Sequence, residues 1–342
     1  MACLKPMYAY VKDEPNANGK FELTWDPREA DRRKPSIPIP CGGCIKCKLD
    51  YAREWAVRCM HEASLYEDNC FITLTYNDDH KPVDGKLRSS DFVRFMKRLR
   101  RKIAPLDSVS CYWHEDQDPT HPLASPRVDK HYKPFGVRYF YCGEYGDGGR
   151  PHYHAILFNY SFPDRELVRA DNGAVVNTSR QLQELWSDDE GKPLGFVQIG
   201  DVTFESCSYV ARYVLKKIDT MSSKEKYEYL KNLSEGLGDD EYVCMSRNPG
   251  IGAGWIKKFA SDVYNQDFVL TRDKIKVKPP RFYDTQINLL NPEMYSKLIR
   301  KRKEANFGRV VDFSQLGRKQ KYWEKVSKKL RRSYDEKSVQ CV

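Results

Sequence analysis

The sequence predicts an α+β fold with an antiparallel sheet. From Phe71 onward, stretches typical of strands and helices follow in the order β, α, β, β, α, β, and a further helix comes after them. A glycine-rich turn, YGDGGRP at residues 145–151, joins the two middle strands, which we therefore expect to form an antiparallel hairpin. This order is that of the split βαβ, ferredoxin-like pattern, to which the sequence adds helical and irregular segments.

The first strand and helix have clear local signals. FITLTY (Phe71–Tyr76) is β-branched and aromatic, which is typical of a strand. After a turn, Ser89 or Ser90 can cap a helix that Pro105 ends. The apolar stripe of this helix is formed by Phe92, Phe95, Met96, Leu99 and Ile103.

The remaining core elements follow at short intervals. GVRYFYCGE (136–144) and PHYHAILF (151–158) are the strands of the expected hairpin. TSRQLQELW (178–186) predicts a short capped helix, GFVQIGDVTF (195–204) a strand, and SCSYVARYVLKKI (206–218) another helix.

Composition divides the chain into four parts. Residues 1–40 are rich in proline and charge, which predicts an irregular N-terminal arm. Residues 41–66 combine a cysteine-rich segment with a helix, residues 67–260 form the core, and residues 261–342 form a basic C-terminal extension. Residues 114–134, rich in proline and histidine, predict a surface insertion.

Charge and hydropathy limit the location and the partners. The net charge is +10, and residues 297–332 alone contain fourteen Lys and Arg against three acidic residues. Such a tail fits a phosphate-rich partner, although a solvated tail without a partner gives the same pattern. There is no run of about 18 apolar residues and no signal-peptide pattern at the start, so we expect a cytoplasmic protein without a membrane partner.

Two histidines on the second hairpin strand predict a metal site. His152 and His154 share one face of the strand, about 7 Å apart. Glu144 ends the paired strand, so the hairpin brings its carboxylate near them, with Asp147 in the turn as a rival ligand. Two imidazoles and one carboxylate suit Mg²⁺ or Mn²⁺ acting on phosphate. Two sheet histidines that bond only to neighbouring protein groups would give the same motif.

The last predicted helix has a polar face with two tyrosines. Tyr209, Arg212, Tyr213 and Lys216 cluster on one side, and the opposite side is apolar. We expect this polar face to lie away from the core. A tyrosine can act as a covalent nucleophile if a cation or a base assists its hydroxyl. The alternative is that both tyrosines fill a contact between helices.

Taken together, these motifs resemble the HUH endonucleases, and more closely the rolling-circle replication initiators of microviruses, especially the gokushovirus branch. The resemblance covers roughly residues 40–260. It is carried by PCGGCIKCKLDYAREWAVRCMHEA, FITLTY, CGEYGDGGRPHYHAILF, SYVARYVLKK and MSRNPGIGAGW.

The resemblance implies an enzyme that nicks single-stranded DNA at a phage origin through a covalent 5′-phosphotyrosine and later rejoins the ends. By motif position, His152 and His154 are metal ligands, with Glu144 as the third. Tyr209 and Tyr213 are alternating nucleophiles, assisted by the lysine at position 216. Further implied partners are a host helicase and polymerase in the bacterial cytoplasm.

Two further groups of residues are candidates for binding. CGGCIKC contains Cys41, Cys44 and Cys47, and Cys59 on the next helix could complete a structural Zn²⁺ site. An iron–sulfur cluster and reduced thiols without a metal are the alternatives. The predicted DNA contacts are Arg212, Arg247 in a glycine-rich turn, Lys301 and Arg302.

Two other functions compete with the tyrosine nickase. One is a metal-dependent nuclease that uses water as its nucleophile, and the other is a zinc-stabilised DNA-binding protein without catalysis. Neither requires two tyrosines one helical turn apart, so the pair Tyr209 and Tyr213 favours the nickase.

Overall fold

The computed structural model describes residues 3–16, 21–103, 136–146, 149–171, 174–217, 241–271, 274–306 and 317–326. Side chains are not described at residues 169–175 and 213–217. The chain divides into two compact units, one formed by Met1–Ala52 with Arg302–Val342 and the other by Arg53–Lys301.

The larger unit is built on a seven-stranded antiparallel sheet in the order β10-β5-β6-β4-β9-β8-β7. Its strands are β4 (Asn69–Thr75), β5 (Arg138–Tyr145), β6 (Pro151–Phe158), β7 (Arg165–Asp171), β8 (Ala174–Ser179), β9 (Val197–Gly200) and β10 (Tyr242–Met245). A separate two-stranded ribbon pairs β11 (Val269–Leu270) with β12 (Lys276–Val277).

Within the described ranges, seven helices have well-defined bounds. They are α1 (Ile45–Ala63), α2 (Ser89–Ile103), α3 (Arg180–Leu185), α4 (Phe204–Lys217), α5 (Ala253–Gln266), α6 (Arg281–Leu290) and α7 (Pro292–Asn306). A further helix, α8, covers residues 317–326. Among the described residues, no helix is both long enough and apolar enough to cross a membrane.

The predicted α+β, ferredoxin-like core is confirmed. Its four strands lie in the order β5-β6-β4-β9, with α2 between β4 and β5 in sequence and α3 between β6 and β9. The predicted stripe of α2 is buried, and Phe92, Phe95 and Leu99 pack on one face of the sheet. As predicted, α3 is capped, because the Ser179 hydroxyl accepts a hydrogen bond from the backbone N–H of Leu182.

The opposite face of the sheet is covered by α1 and α4. The second half of α1 packs there, with Trp55 stacked on Phe140 of β5 at 4.8 Å between ring centroids. Helix α4 packs on β5, β6 and β10. The histidines of β6 therefore lie on a face that is covered by helices.

The predicted irregular arm at residues 1–40 is a three-stranded sheet in the structure. Strand β1 (Met7–Pro15) lies between β2 (Phe21–Thr24) and β3 (Ile37–Ile39). Prolines are compatible with this sheet because Pro38 lies in an edge strand and Pro15 ends β1. The density of prolines concealed short strands whose alternation is weak.

Two other segments differ from the predicted organisation. The hairpin of β7 and β8, which was not predicted, extends the sheet beyond β9. Part of the expected basic extension is folded, because Tyr283, Ile287 and Leu298 are buried in a second core with α5. The predicted insertion at residues 114–134 lies outside the described residues.

A buried ion pair joins α1 to β5. The Arg138 guanidinium donates to the Glu62 carboxylate at 2.7 Å and to the backbone carbonyl of Pro249 at 2.5 Å. The second Glu62 oxygen accepts the backbone N–H of Gly252 at 2.7 Å. Both side chains are almost fully buried, so each charge depends on the other for compensation.

We expect Glu62→Ala to lower the free energy of unfolding by about 3–5 kcal/mol, because it leaves the Arg138 charge buried without its partner. Urea denaturation measures the change. Glu184→Ala is the matched control, since its partners Arg180 and Lys102 pair with it at the surface, and it should cost less than about 1 kcal/mol. Equal losses in both variants would contradict this role for the buried pair.

Candidate active site

The hairpin of β5 and β6 brings one carboxylate and two imidazoles together. Glu144 is paired with His152 across the two strands, and His154 lies two residues further along the same face of β6. One nitrogen from each imidazole and one oxygen of the carboxylate all lie within 4.8 Å of one another. The predicted group of three is therefore assembled by strand register.

Both imidazoles point the same ring nitrogen at the same oxygen atom. Nε2 of His152 lies 2.6 Å from Oε1 of Glu144, and Nε2 of His154 lies 2.7 Å from it. The other ring nitrogens face the protein: Nδ1 of His152 lies 3.2 Å from the Arg150 carbonyl and Nδ1 of His154 lies 2.9 Å from the Thr73 hydroxyl. Partners at Nδ1 fix the ring orientation and leave Nε2 directed into the site.

The Glu144 carboxylate is buried but stays ionised. Burial alone would raise its pKa, but the charge of His154 and hydrogen bonds from both imidazoles outweigh burial and hold the pKa well below its usual value. Its second oxygen, Oε2, is buried and has no hydrogen-bond partner within the described part of the chain. A buried anionic oxygen of this kind is what a bound cation would compensate.

The donor set fits a divalent metal ion. Two imidazole nitrogens and a carboxylate form a mixed nitrogen and oxygen site that can leave further coordination positions for water or phosphate oxygens. His152, His154 and Glu144 would hold the ion.

Tyr209 of α4 lies directly at this group. Its hydroxyl donates a hydrogen bond to Oε1 of Glu144 at 3.0 Å, and its ring lies edge-on to His154 with centroids 5.0 Å apart. The prediction that the tyrosine face of the helix lies away from the core is wrong at this position, because Tyr209 is only 6% exposed. The cause is the packing of α4 on the histidine face of the sheet.

Two other predicted catalytic residues follow Tyr209 on α4. Tyr213 lies one turn further along the helix and Lys216 about two turns further. Their side chains lie outside the described part of the structure, as does Asp147, the alternative third ligand.

The predicted DNA contacts are dispersed. The Arg212 guanidinium lies 6.0 Å from the centroid of the Tyr209 ring. Arg247 is exposed and follows β10 at the end of that strand that pairs with Phe140, whereas Glu144 lies at the other end of β5. Lys301 and Arg302 lie near the end of α7. The structure brings Arg212 to the site and leaves Arg247 away from it.

Two site residues were missed from the sequence. Thr73 holds the His154 ring, and the alternation of FITLTY already places it on the face opposite the buried Ile72 and Leu74. Gly146 leaves room for the other imidazole: a Cβ at this position would lie 2.8 Å from Cε1 of His152. Only the close approach of the folded turn reveals the need for glycine.

The predicted thiol group changes one member. Cys41, Cys44 and Cys47 lie together, but the fourth nearby thiol is Cys3 and not Cys59. Because α1 is continuous, Cys59 is about 18 Å along the helix axis from Cys47. The Cys59 thiol is fully buried beside Cys207, and burial raises its pKa well above the usual value.

Comparison with known proteins agrees with this site. The family model of the phage replication-associated protein ORF2 matches residues 69–218, which contain the hairpin and α4. Replication-associated protein VP4 of Bdellovibrio phage phiMH2K is 30% identical over 298 residues, which cover 86% of this chain and 80% of that protein. The chain belongs to the family of phage replication-associated proteins.

Other members of this family show similar likeness. Replication-associated protein ORF2 of Spiroplasma virus 4 is 28% identical over 319 residues, covering 89% of this chain and 86% of that protein. ORF4 of Chlamydia phage 1 is 31% identical over 225 residues, or 62% of this chain and 48% of that protein. No solved structure matches the chain. The predicted resemblance to microvirus replication initiators is confirmed.

We expect His154→Ala to weaken Mn²⁺ binding, because it removes one of three ligands from a buried site. Thr73→Val keeps the ligand but removes the partner of its Nδ1, so it should weaken affinity about 10–100-fold. Electron paramagnetic resonance of free Mn²⁺ during titration measures both.

His80→Ala is the matched control for these variants, because His80 pairs with Asp188 and Asn77 away from the three ligands. It should bind Mn²⁺ as the parent protein does. If His154→Ala and His80→Ala have the same affinity, the hairpin does not hold the ion.

Proposed function

We propose that this protein initiates phage DNA replication by nicking single-stranded DNA at an origin through a covalent phosphotyrosine, and that it later rejoins the strand. The observation that carries the proposal is the hydrogen bond from the Tyr209 hydroxyl to a carboxylate that two imidazoles also contact. A phenol, which is the candidate nucleophile, thus lies at a group suited to binding a cation and, through it, a phosphate.

Tyr209 is placed to attack first. The carboxylate of Glu144 accepts the hydrogen bond of the Tyr209 hydroxyl and so orients the phenolic oxygen beside the two imidazoles. The ring is held edge-on to His154 and is nearly buried, which restricts its rotamers. This arrangement reduces the orientational entropy that the attack would otherwise lose.

The metal would be held by His152, His154 and Glu144. When bound, a divalent cation such as Mg²⁺ or Mn²⁺ supplies Lewis-acid polarisation of the scissile phosphate. The protein contributes a fixed orientation of both rings, through the Arg150 carbonyl and the Thr73 hydroxyl. Burial of the carboxylate strengthens its interaction with any cation in the site.

The chemical step is a transesterification. The phenolic oxygen of Tyr209 forms a bond to phosphorus as it loses its proton, and the bond from phosphorus to O3′ breaks. The departing O3′ takes up a proton and becomes a free hydroxyl that can prime synthesis. Because the phosphodiester energy is kept in the tyrosine ester, rejoining by the reverse attack needs no ATP.

Tyr213 is proposed as the second nucleophile, which cleaves the regenerated origin, and Lys216 as the residue that assists on the same helix. Their position one and two turns after Tyr209 supports this assignment. The DNA partner is single-stranded origin DNA in the cytoplasm of the host, where a host helicase and polymerase would extend the free end.

A nuclease that uses water is the competing function, and the same three ligands would serve it. The contact between Tyr209 and Glu144 favours the tyrosine route, because a water nuclease has no use for a phenol at this carboxylate. A DNA-binding protein without catalysis would not need the convergence of two imidazoles on one buried carboxylate.

We expect labelled single-stranded oligonucleotides that tile the phage genome to form a covalent adduct in the presence of Mn²⁺. Strands labelled at the 3′ end should appear in the adduct on a denaturing gel, because the protein attaches to the 5′ phosphate. Strands labelled at the 5′ end should give a free fragment that a polymerase can extend. EDTA should abolish both products.

Tyr209→Phe should reduce the initial adduct about 100-fold or more, because it removes the oxygen that attacks while keeping the ring. Tyr209→Phe combined with Tyr213→Phe should remove the adduct completely. Tyr8→Phe is the control, since Tyr8 is exposed on β1. Cleavage without adduct in the parent protein would establish the water nuclease, and binding without cleavage would establish the non-catalytic alternative.

A further inference from the structure

Four cysteines converge within the unit that contains the N-terminal sheet. Cys3 precedes β1, Cys41 follows β3, and Cys44 and Cys47 lie at the start of α1. Their four sulfur atoms lie within 4.8 Å of one another. The four thiols come from three separate places in the chain, so the fold of this unit is what assembles them.

We propose that these four thiolates bind one Zn²⁺ ion as a structural site, independently of the proposed nicking activity. Sγ of Cys3 lies 3.6 Å from Sγ of Cys41 and 3.9 Å from Sγ of Cys44. A tetrahedron of sulfurs at the zinc–sulfur distance of about 2.3 Å has edges of about 3.8 Å. The observed separations match these edges and are far longer than a disulfide bond of about 2.05 Å.

Backbone amides support the thiolate form of the group. The N–H of Cys41 donates to Sγ of Cys3 at 3.3 Å, and the N–H of Cys44 donates to Sγ of Cys41 at 3.3 Å. The N–H of Leu4 donates to Sγ of Cys44 at 3.5 Å. Such donors orient metal-binding sulfurs and disperse their negative charge.

The local backbone explains how Cys41 and Cys44 turn toward the same point. Gly42 has φ +75°, a left-handed conformation that glycine adopts without strain. The chain then enters α1, whose N-terminus directs free N–H groups and a partial positive charge toward the thiolates.

Thiolate ligands and close spacing favour zinc over other cofactors. Thiolates are soft ligands that bind Zn²⁺ in preference to Mg²⁺ or Mn²⁺, so this site would not compete for the ion of the histidine site. An iron–sulfur cluster places several iron and sulfide atoms between its cysteines and needs the sulfurs further apart than one ion does. Binding of Zn²⁺ releases the thiol protons to solvent.

The ion would stabilise a unit that has little hydrophobic core. In the described residues of Met1–Ala52, the buried apolar side chains are Cys3, Leu4, Ala9 and Ala52. Small units of this kind need a metal or another covalent constraint to hold their fold. The ion would join the start of β1 to the end of β3 and both to α1, closing the three-stranded sheet.

The test uses the full-length chain carrying His152→Ala and His154→Ala, so that the histidine site binds no metal. Protein purified without added metal should contain one zinc per chain by mass spectrometry of the native protein and by elemental analysis. Replacement of zinc by Co²⁺ should give the intense visible bands of tetrahedral cobalt with thiolate ligands.

Cys3→Ser in this background should weaken zinc retention against a chelator at least about tenfold, because it removes one of four ligands. Cys59→Ala is the matched control, and it should retain zinc because its thiol lies beside Cys207. These two variants distinguish Cys3 from Cys59 as the fourth ligand.

Three results would overturn the site. They are a parent protein without zinc and without tetrahedral cobalt bands, a parent protein that contains iron instead, and loss of zinc in Cys59→Ala with retention in Cys3→Ser. If Cys3→Ser does not fold, the zinc content and the cobalt spectrum of the parent decide alone. None of these results depends on nicking, so failure of this proposal is distinguishable from failure of the proposed function.

Discussion

The register between β5 and β6 is the constraint on which the rest of the site depends. Pairing of Glu144 with His152 puts the carboxylate and both imidazoles on one face of the sheet. Tyr153, Ala155 and Leu157 point to the other face and are fully buried. A slip of one residue would turn the imidazoles into the apolar core and those three residues out of it. Packing on one face therefore fixes the chemistry on the other.

Covering the histidine face also determines the character of the site. Helix α4 packs on β5 and β6 and places the Tyr209 ring against His154, so the group is largely withdrawn from water. Withdrawal from water strengthens each charge interaction. It would also neutralise Glu144 if the imidazoles did not hold its pKa low. The same helix thus buries the carboxylate and supplies the phenol that donates to it.

The sequence predicted what depends on local periodicity and missed what depends on distant contacts. The order of the core elements and the grouping of Glu144, His152 and His154 follow from alternation and one turn. Cys3 could not be found in this way, because 38 residues separate it from Cys41 and only the pairing of β1 with β3 brings them together. The burial of Tyr209 was also missed, since a helical wheel shows which residues share a face but not what packs against it. Strands rich in proline, as in β3, lack the alternation that identifies a strand.

The depth of each side chain gives the direction from which DNA must reach the site. The side chain of His152 is 15% exposed, that of His154 is 7% exposed and that of Glu144 is 3% exposed. A phosphate can therefore approach only from the side of His152, which lies next to the hairpin turn. Arg150 stands at this entrance, 39% exposed and already bonded to Asp78 and to the Tyr76 carbonyl. In the proposed reaction, a phosphate entering past Arg150 meets His152 before the phenol, so the outer ligand selects the strand position at which Tyr209 attacks.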